Sequence, residues 1–202
     1  KLSLREKVGY GMGDAGSCMI WSVLALYLTW FYTDVYGLDA GVVGTLFLVI
    51  RIFDAFIDPL MGAVCDRTKS RWGKFRPWLL WMALPFGLGA AVMFTTPDLS
   101  MDGKILYAWV TYLVMSMIYT AINIPYCSVA GVITLNQKER MGCLSWRFFL
   151  NGLATLIVSS AILPLADWLG DGNRASGFQM TMMIMGGAAT LMFLFCFSSI
   201  KE

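Results

Sequence analysis

Apolar positions in this chain come in blocks of twenty or more, separated by short stretches that carry most of the charge. Six blocks stand out, at roughly 8–32, 40–64, 77–97, 104–128, 141–166 and 177–199. A bilayer-spanning helix takes about 20 predominantly apolar residues, so the pattern predicts six transmembrane helices. Helix one opens with small residues, and Gly9-x-x-x-Gly13 permits close approach of a neighbouring helix. Its far end is aromatic (Trp30, Phe31, Tyr32), as an interfacial belt would be. Pro59 and Pro125 fall inside the second and fourth blocks, where membrane helices tolerate them as kinks.

Composition agrees with a membrane setting. Hydrophobic residues make up 58% of the chain and charged residues 14%, against about 25% charged in a soluble domain. The distribution of charge is more informative than the net value of +2. Taking alternate linkers as one side, eleven basic residues fall together: Lys1, Arg5, Lys7, Arg67, Lys69, Arg71, Lys74, Arg76, Lys138, Arg140 and Lys201. The other side holds two, Lys104 and Arg174. By the positive-inside rule both ends of this chain are expected in the cytoplasm. The basic start leads into an apolar run too long for a cleavable leader. There is no histidine, which removes His-based metal sites and Ser-His triads. Neither H-E-x-x-H nor G-x-S-x-G occurs, so an enzyme is not expected. The five cysteines (Cys18, Cys65, Cys127, Cys143, Cys196) include no C-x-x-C pair and read as small buried hydrophobes. No nucleic-acid partner is expected.

The second block is interrupted by Arg51, Asp54 and Asp58, spaced three and four apart and therefore on one helix face. A charge at the bilayer centre costs roughly 3 to well over 10 kcal/mol, so such residues usually face a cavity and serve function. Two readings are open: a cation site, or a structural ion network that includes Arg51. Hard cations take carboxylate oxygens, and two acids one turn apart raise each other's proton affinity unless a cation lies between them. Either Na⁺ or H⁺ suits the pair.

Longer motifs occur in a fixed order: Gly9-Tyr-Gly-Met-Gly-Asp14, Tyr32-Thr-Asp34, Val43-Gly-Thr-Leu-Phe-Leu48, Asp54-Ala-Phe-Ile-Asp58-Pro59, Ser70-Arg-Trp-Gly-Lys-Phe-Arg-Pro-Trp78 and Asn123-Ile-Pro-Tyr126. After the second block comes a G-x-x-x-D-R-x-x-x-R loop with Gly62, Asp66, Arg67 and Arg71. Together these resemble the glycoside–pentoside–hexuronide:cation symporters, the melibiose permease-like branch of the major facilitator superfamily. The resemblance implies an all-α membrane protein of the bacterial cytoplasmic (inner) membrane. The six helices correspond to the N-terminal half of a twelve-helix bundle, itself a 3+3 inverted repeat. The six-helix C-terminal half is then absent from this chain and is its expected partner, beside the bilayer and a sugar. The implied activity is symport of a sugar with H⁺ or Na⁺ by alternating access, with no other cofactor.

The resemblance also implies roles. Asp54 and Asp58 match the family's cation-binding acids, and Thr120 a residue associated with the same site. Ile57 replaces a polar Asn of the family, which removes a neutral ligand and tilts the choice toward H⁺. Cys18, Asn123 and Cys127 stand where sugar-contacting aspartates and a tryptophan are expected, so melibiose itself is a poor substrate guess. Tyr119 and Arg147 match residues that line the sugar pocket, although Arg147 could instead snorkel to the inner face. Loss of two pocket acids with Arg147 kept would suit an anionic sugar such as a hexuronide. Alternatively Asp14, one turn from Cys18, replaces the lost carboxylate and keeps the site suited to a neutral glycoside or pentoside. The Gly62–Arg71 loop is expected to make charge contacts that hold one access state closed. The competing reading is a six-helix channel or a structural membrane protein with a buried ion-pair network.

Overall fold

The computed structural model describes residues 2–200, so Lys1, Lys201 and Glu202 lie outside the described residues. It contains six long helices and no strand among those residues: α1 Leu4–Trp30, α2 Ala40–Arg67, α3 Arg76–Met93, α4 Met101–Ile133, α5 Gln137–Gly170 and α6 Arg174–Ser199. The first helix continues through a π-helical turn, Phe31–Val35.

Most helices run beyond the apolar blocks because polar residues cap them. Ser3 and Glu6 form a reciprocal capping box at the start of α1. Asp39, Ser100, Asn136 and Asn173 each accept a backbone N–H at the start of α2, α4, α5 and α6. The third helix behaves differently, ending at Met93 rather than near 97. Pro97 disfavours helical backbone at the residue before it, and Thr95 turns its hydroxyl back to the Ala91 carbonyl. Five helices are long and apolar enough to cross a membrane. The 18-residue α3, which begins at Arg76 and contains Pro77 and Pro85, falls short on that measure.

Tertiary contacts give each helix its direction. Ser199, Cys196 and Ala189 of α6 meet Gly9, Gly13 and Gly16 of α1 in that order, so α6 runs antiparallel to α1. A side chain at Gly13 would sit 2.6 Å from the Tyr126 ring and 2.9 Å from Cys196 Sγ, so only glycine allows this approach. Lys7 pairs with Glu139 at 2.8 Å, and Asp14 with Arg147 at 3.0 Å, so α5 runs parallel to α1. The Arg76 guanidinium donates to the Phe197 carbonyl at 2.7 Å, and Gln179 to Thr95 at 3.1 Å, which sets α3 antiparallel to α6. One end of the bundle therefore gathers the start of α1, the 68–75 and 134–136 connections and the end of α6. Nine of the eleven basic residues expected on one side, Arg5 to Arg140, are described and lie there, while Lys1 and Lys201 lie outside the described residues.

Helix α1 is the axis of the packing, lying against α5 and α6, while α2 rests chiefly on α4. Of the apolar window of α1, 56% is buried, compared with 17% for α2 and for α5. Leu48, Ile52, Phe56 and Leu60 on α2, and Phe148, Phe149 and Leu156 on α5, are exposed. A helix apolar on nearly all sides yet so little covered belongs in lipid or against further protein.

Candidate functional site

Polar side chains inside the bundle fall into two groups. The first lies in the seam between α2 and α4. Ser116 donates its hydroxyl to Asp54 Oδ1 at 2.5 Å, and Thr120 donates to Asp58 Oδ1 at 3.0 Å. Both pairs are 62 residues apart, so the helices run parallel in fixed register and the one-turn spacing of the acids matches that of the hydroxyls. Ser116 and Thr120 are buried, and the two acids are half-buried. Among the described residues no cation pairs with either acid. Each carboxylate has one neutral donor and further lone pairs unused, which is the donor set a hard cation takes.

Arg51 is not joined to this pair. Among the described residues it forms no ion pair, and its guanidinium lies 5.2 Å from the centre of the Trp21 ring. The structural ion network considered for Arg51, Asp54 and Asp58 is therefore not formed. Geometry explains it: Trp21 on α1, itself stacked on Tyr119 of α4, offers the guanidinium an aromatic face.

The second group joins α1 to α5 and reaches α4. Asp14 is buried; Arg147 approaches its Oδ1 at 3.0 Å and Asn151 donates to its Oδ2 at 2.6 Å. The other side of Asn151 accepts from Cys18 Sγ at 3.4 Å, and Cys18 lies 3.1 Å from the Thr155 hydroxyl. Arg147 also lies over the Tyr126 ring and 3.9 Å from Cys127, which points back to Asn123. Arg147 thus turns inward to α1 rather than snorkelling to the end of the bundle. Its Nε is buried and has no partner among the described residues. Tyr119 stacks on Trp21, with ring centres 4.3 Å apart and planes 16° apart. Asp14, Cys18, Tyr119, Asn123, Cys127 and Arg147 therefore share one surface built by α1, α4 and α5.

One correction accompanies this geometry. Cys65, Cys143 and Cys196 are buried, but Cys18 is half-buried and Cys127 exposed, because both face the polar surface rather than the core. Both Asp14 oxygens are engaged, one by Arg147 and the other by Asn151.

Four contributors escaped the sequence reading: Trp21, Ser116, Asn151 and Thr155. Spacing carried the signal for three of them. Ser116 precedes Thr120 by four, and Arg147, Asn151 and Thr155 follow each other by four, each set a polar line on one face of an apolar helix.

The Gly62–Arg71 loop sits at the basic end. Asp66, Arg67 and Arg71 are exposed there, and no ion pair joins them among the described residues. Arg71 lies over Trp72 at 4.3 Å, and Trp72 meets Phe197 edge-on, so the loop is anchored on the end of α6 by rings. Gly62 has open space where a side chain would project.

Membrane-length helices here carry acids without an ion pair among the described residues in one seam and a paired acid on the polar surface of the next. The chain belongs to the MFS/sugar transport protein family, whose model matches residues 9–202. That family consists of transporters rather than enzymes. Three curated relatives bear this out. "Inner membrane symporter YicJ" of Escherichia coli (strain K12) is 48% identical over 201 residues, covering 100% of this chain and 44% of its own length. "Putative glycoside/cation symporter YagG" of the same organism is 46% identical over 202 residues, with the same coverage of both chains. The isoprimeverose transporter of Lactiplantibacillus pentosus is 40% identical over 199 residues, covering 98% of this chain and 42% of its own length. The chain thus spans less than half the length of the relatives it matches. It is a multi-pass membrane protein.

Proposed function

We propose that this chain is the N-terminal half of a cation-coupled symporter for a neutral glycoside or pentoside. The carrying observation is the contrast in compensation between its two groups of acids. Among the described residues, Asp54 and Asp58 have the Ser116 and Thr120 hydroxyls as their side-chain partners, and they hold the coupling ion, Na⁺ or H⁺. Asp14 is already matched by Arg147, so the sugar surface is close to electrically neutral. A hexuronide would need a positive charge that Asp14 has taken. A neutral sugar needs only hydrogen bonds and an aromatic face, which the half-buried Asn123 and Tyr119 supply.

The missing half has six helices and covers the exposed apolar faces of α2 and α5, with the sugar bound between halves. The six helices here divide three plus three as an inverted repeat. Both ends face the cytoplasm, across the bacterial inner membrane, as the gathered basic residues favour. Alternating access is then a rocking of the two halves, with the Gly62–Arg71 loop meeting helix ends of the other half in one state. Sugar and cation bind the same state, so each raises the affinity for the other. The names of two relatives, a putative glycoside/cation symporter and an isoprimeverose transporter, support this reading.

The test uses vesicles containing the full-length protein. Adding a substrate glycoside or xyloside should drive H⁺ or Na⁺ inward, and glucuronide should compete poorly. Competition by glucuronide alone would overturn the neutral-sugar assignment. Sugar flux with no ion movement would overturn symport.

A further inference from the structure

Arg51 precedes Asp54 by three residues on α2, a spacing at which opposite charges on a helix are neighbours and can pair. They do not pair here. The guanidinium lies 5.2 Å from the centre of the Trp21 ring, and Trp21 is held by its stack on Tyr119, 4.3 Å away. Around it is a cavity of about 250 Å³ lined by Trp21, Phe47, Arg51 and Tyr112, which gives the long side chain room to move. The oxygen of Asp54 that faces α4 is taken by Ser116 instead. A cation–π contact and a one-turn ion pair are similar in strength, so an aromatic ring at this place can decide where the arginine rests.

We propose that Trp21 is a positioning residue for the coupling ion: it parks Arg51 away from Asp54 and leaves the acid pair open to a free cation. This rests on the reading of Asp54 and Asp58 as the cation pair. Without the ring, Arg51 becomes an internal cation that competes for the same oxygens. The clamp by Tyr119 gives the arrangement a second consequence. Tyr119 belongs to the sugar surface, so whatever sugar does to that ring is felt at Arg51, one helical turn from the cation pair. Tyr119, Trp21 and Arg51 are in direct contact in that order, and the test below measures whether they are coupled in energy.

The experiment reconstitutes the full-length transporter in proteoliposomes and measures the cation concentration that half-activates uptake of a substrate glycoside. Na⁺ is titrated at fixed pH, and H⁺ in the absence of Na⁺. Trp21→Leu should raise the half-activating concentration about tenfold, a coupling of ordinary size. Trp21→Phe, which keeps an aromatic face, should stay near wild type. The double variant Trp21→Leu with Arg51→Gln should return to the value of Arg51→Gln alone, a rescue that a merely structural tryptophan would not show. If Trp21→Leu fails to reach the membrane, Tyr119→Leu removes the clamp and should give a smaller shift, rescued in the same way. An unshifted cation constant in Trp21→Leu, or no rescue by Arg51→Gln, overturns the proposal. Wild-type uptake that ignores cations overturns symport and this proposal together, an outcome distinct from cation-dependent uptake that Trp21→Leu leaves untouched.

Discussion

Two seams of this bundle hold aspartates, and their surroundings are opposite. Between α1 and α5, Asp14 is buried with a guanidinium on one oxygen and an amide on the other. Between α2 and α4, Asp54 and Asp58 are half-buried, with a single hydroxyl each and no ion pair among the described residues. A carboxylate in a low-dielectric interior must be neutralised by a proton, a partner or a bound ion. Asp14 carries its partner with it. On the function proposed above, the α2 acids take theirs from solution, and that difference separates a fixed scaffold from a site that fills and empties.

The contrast can be broken at several points. The largest effect is expected at the open pair. Asp54→Asn or Asp58→Asn in the full-length protein should leave expression intact and abolish uphill sugar accumulation, measured as the internal-to-external sugar ratio in energised cells. Normal accumulation in both would assign the pair to structure. Next comes the closed pair. Asp14→Asn leaves Arg147 charged and without its counter-ion, and removing one partner of a buried pair costs about 3–5 kcal/mol. The melting temperature in detergent should fall, and Asp14→Asn with Arg147→Gln should recover much of the loss. An unchanged melting temperature for Asp14→Asn would show the ion pair to be unimportant. A smaller effect is expected at the hydroxyls. Ser116→Ala or Thr120→Val should each weaken cation activation about fivefold, the worth of one hydrogen bond of about 1 kcal/mol. Cation constants equal to wild type in both would remove α4 from the cation site.

Much of the fold was legible in the residues, for a physical reason. Lipid cannot hydrogen-bond a backbone, so outside closed barrels every span must be a long apolar helix, and long apolar blocks are hard to misread. Helix ends were less legible, because Ser3, Asp39, Ser100, Asn136 and Asn173 extend helices into polar sequence by capping. The early end of α3 depended on Pro97, a single residue against an apolar background.

At the candidate site, charge was readable and pairing was not. Asp54 and Asp58 announce themselves in an apolar block. Their partners Ser116 and Thr120 do so only once α2 and α4 are known to run parallel in one register. Arg51 shows the same limit from the other side: sequence spacing places it with Asp54, and Trp21, from a helix thirty residues earlier, takes it away. Asn151 links Asp14 to Cys18 across two helices, a contact with no counterpart in local spacing.

The most direct test of the open pair is sugar binding by the purified full-length protein, titrated against Na⁺ and against pH. Sugar affinity should rise with one of these cations by about 5- to 150-fold in wild type. It should be flat in Asp54→Asn and in Asp58→Asn. A cation dependence that survives in both variants would contradict the account.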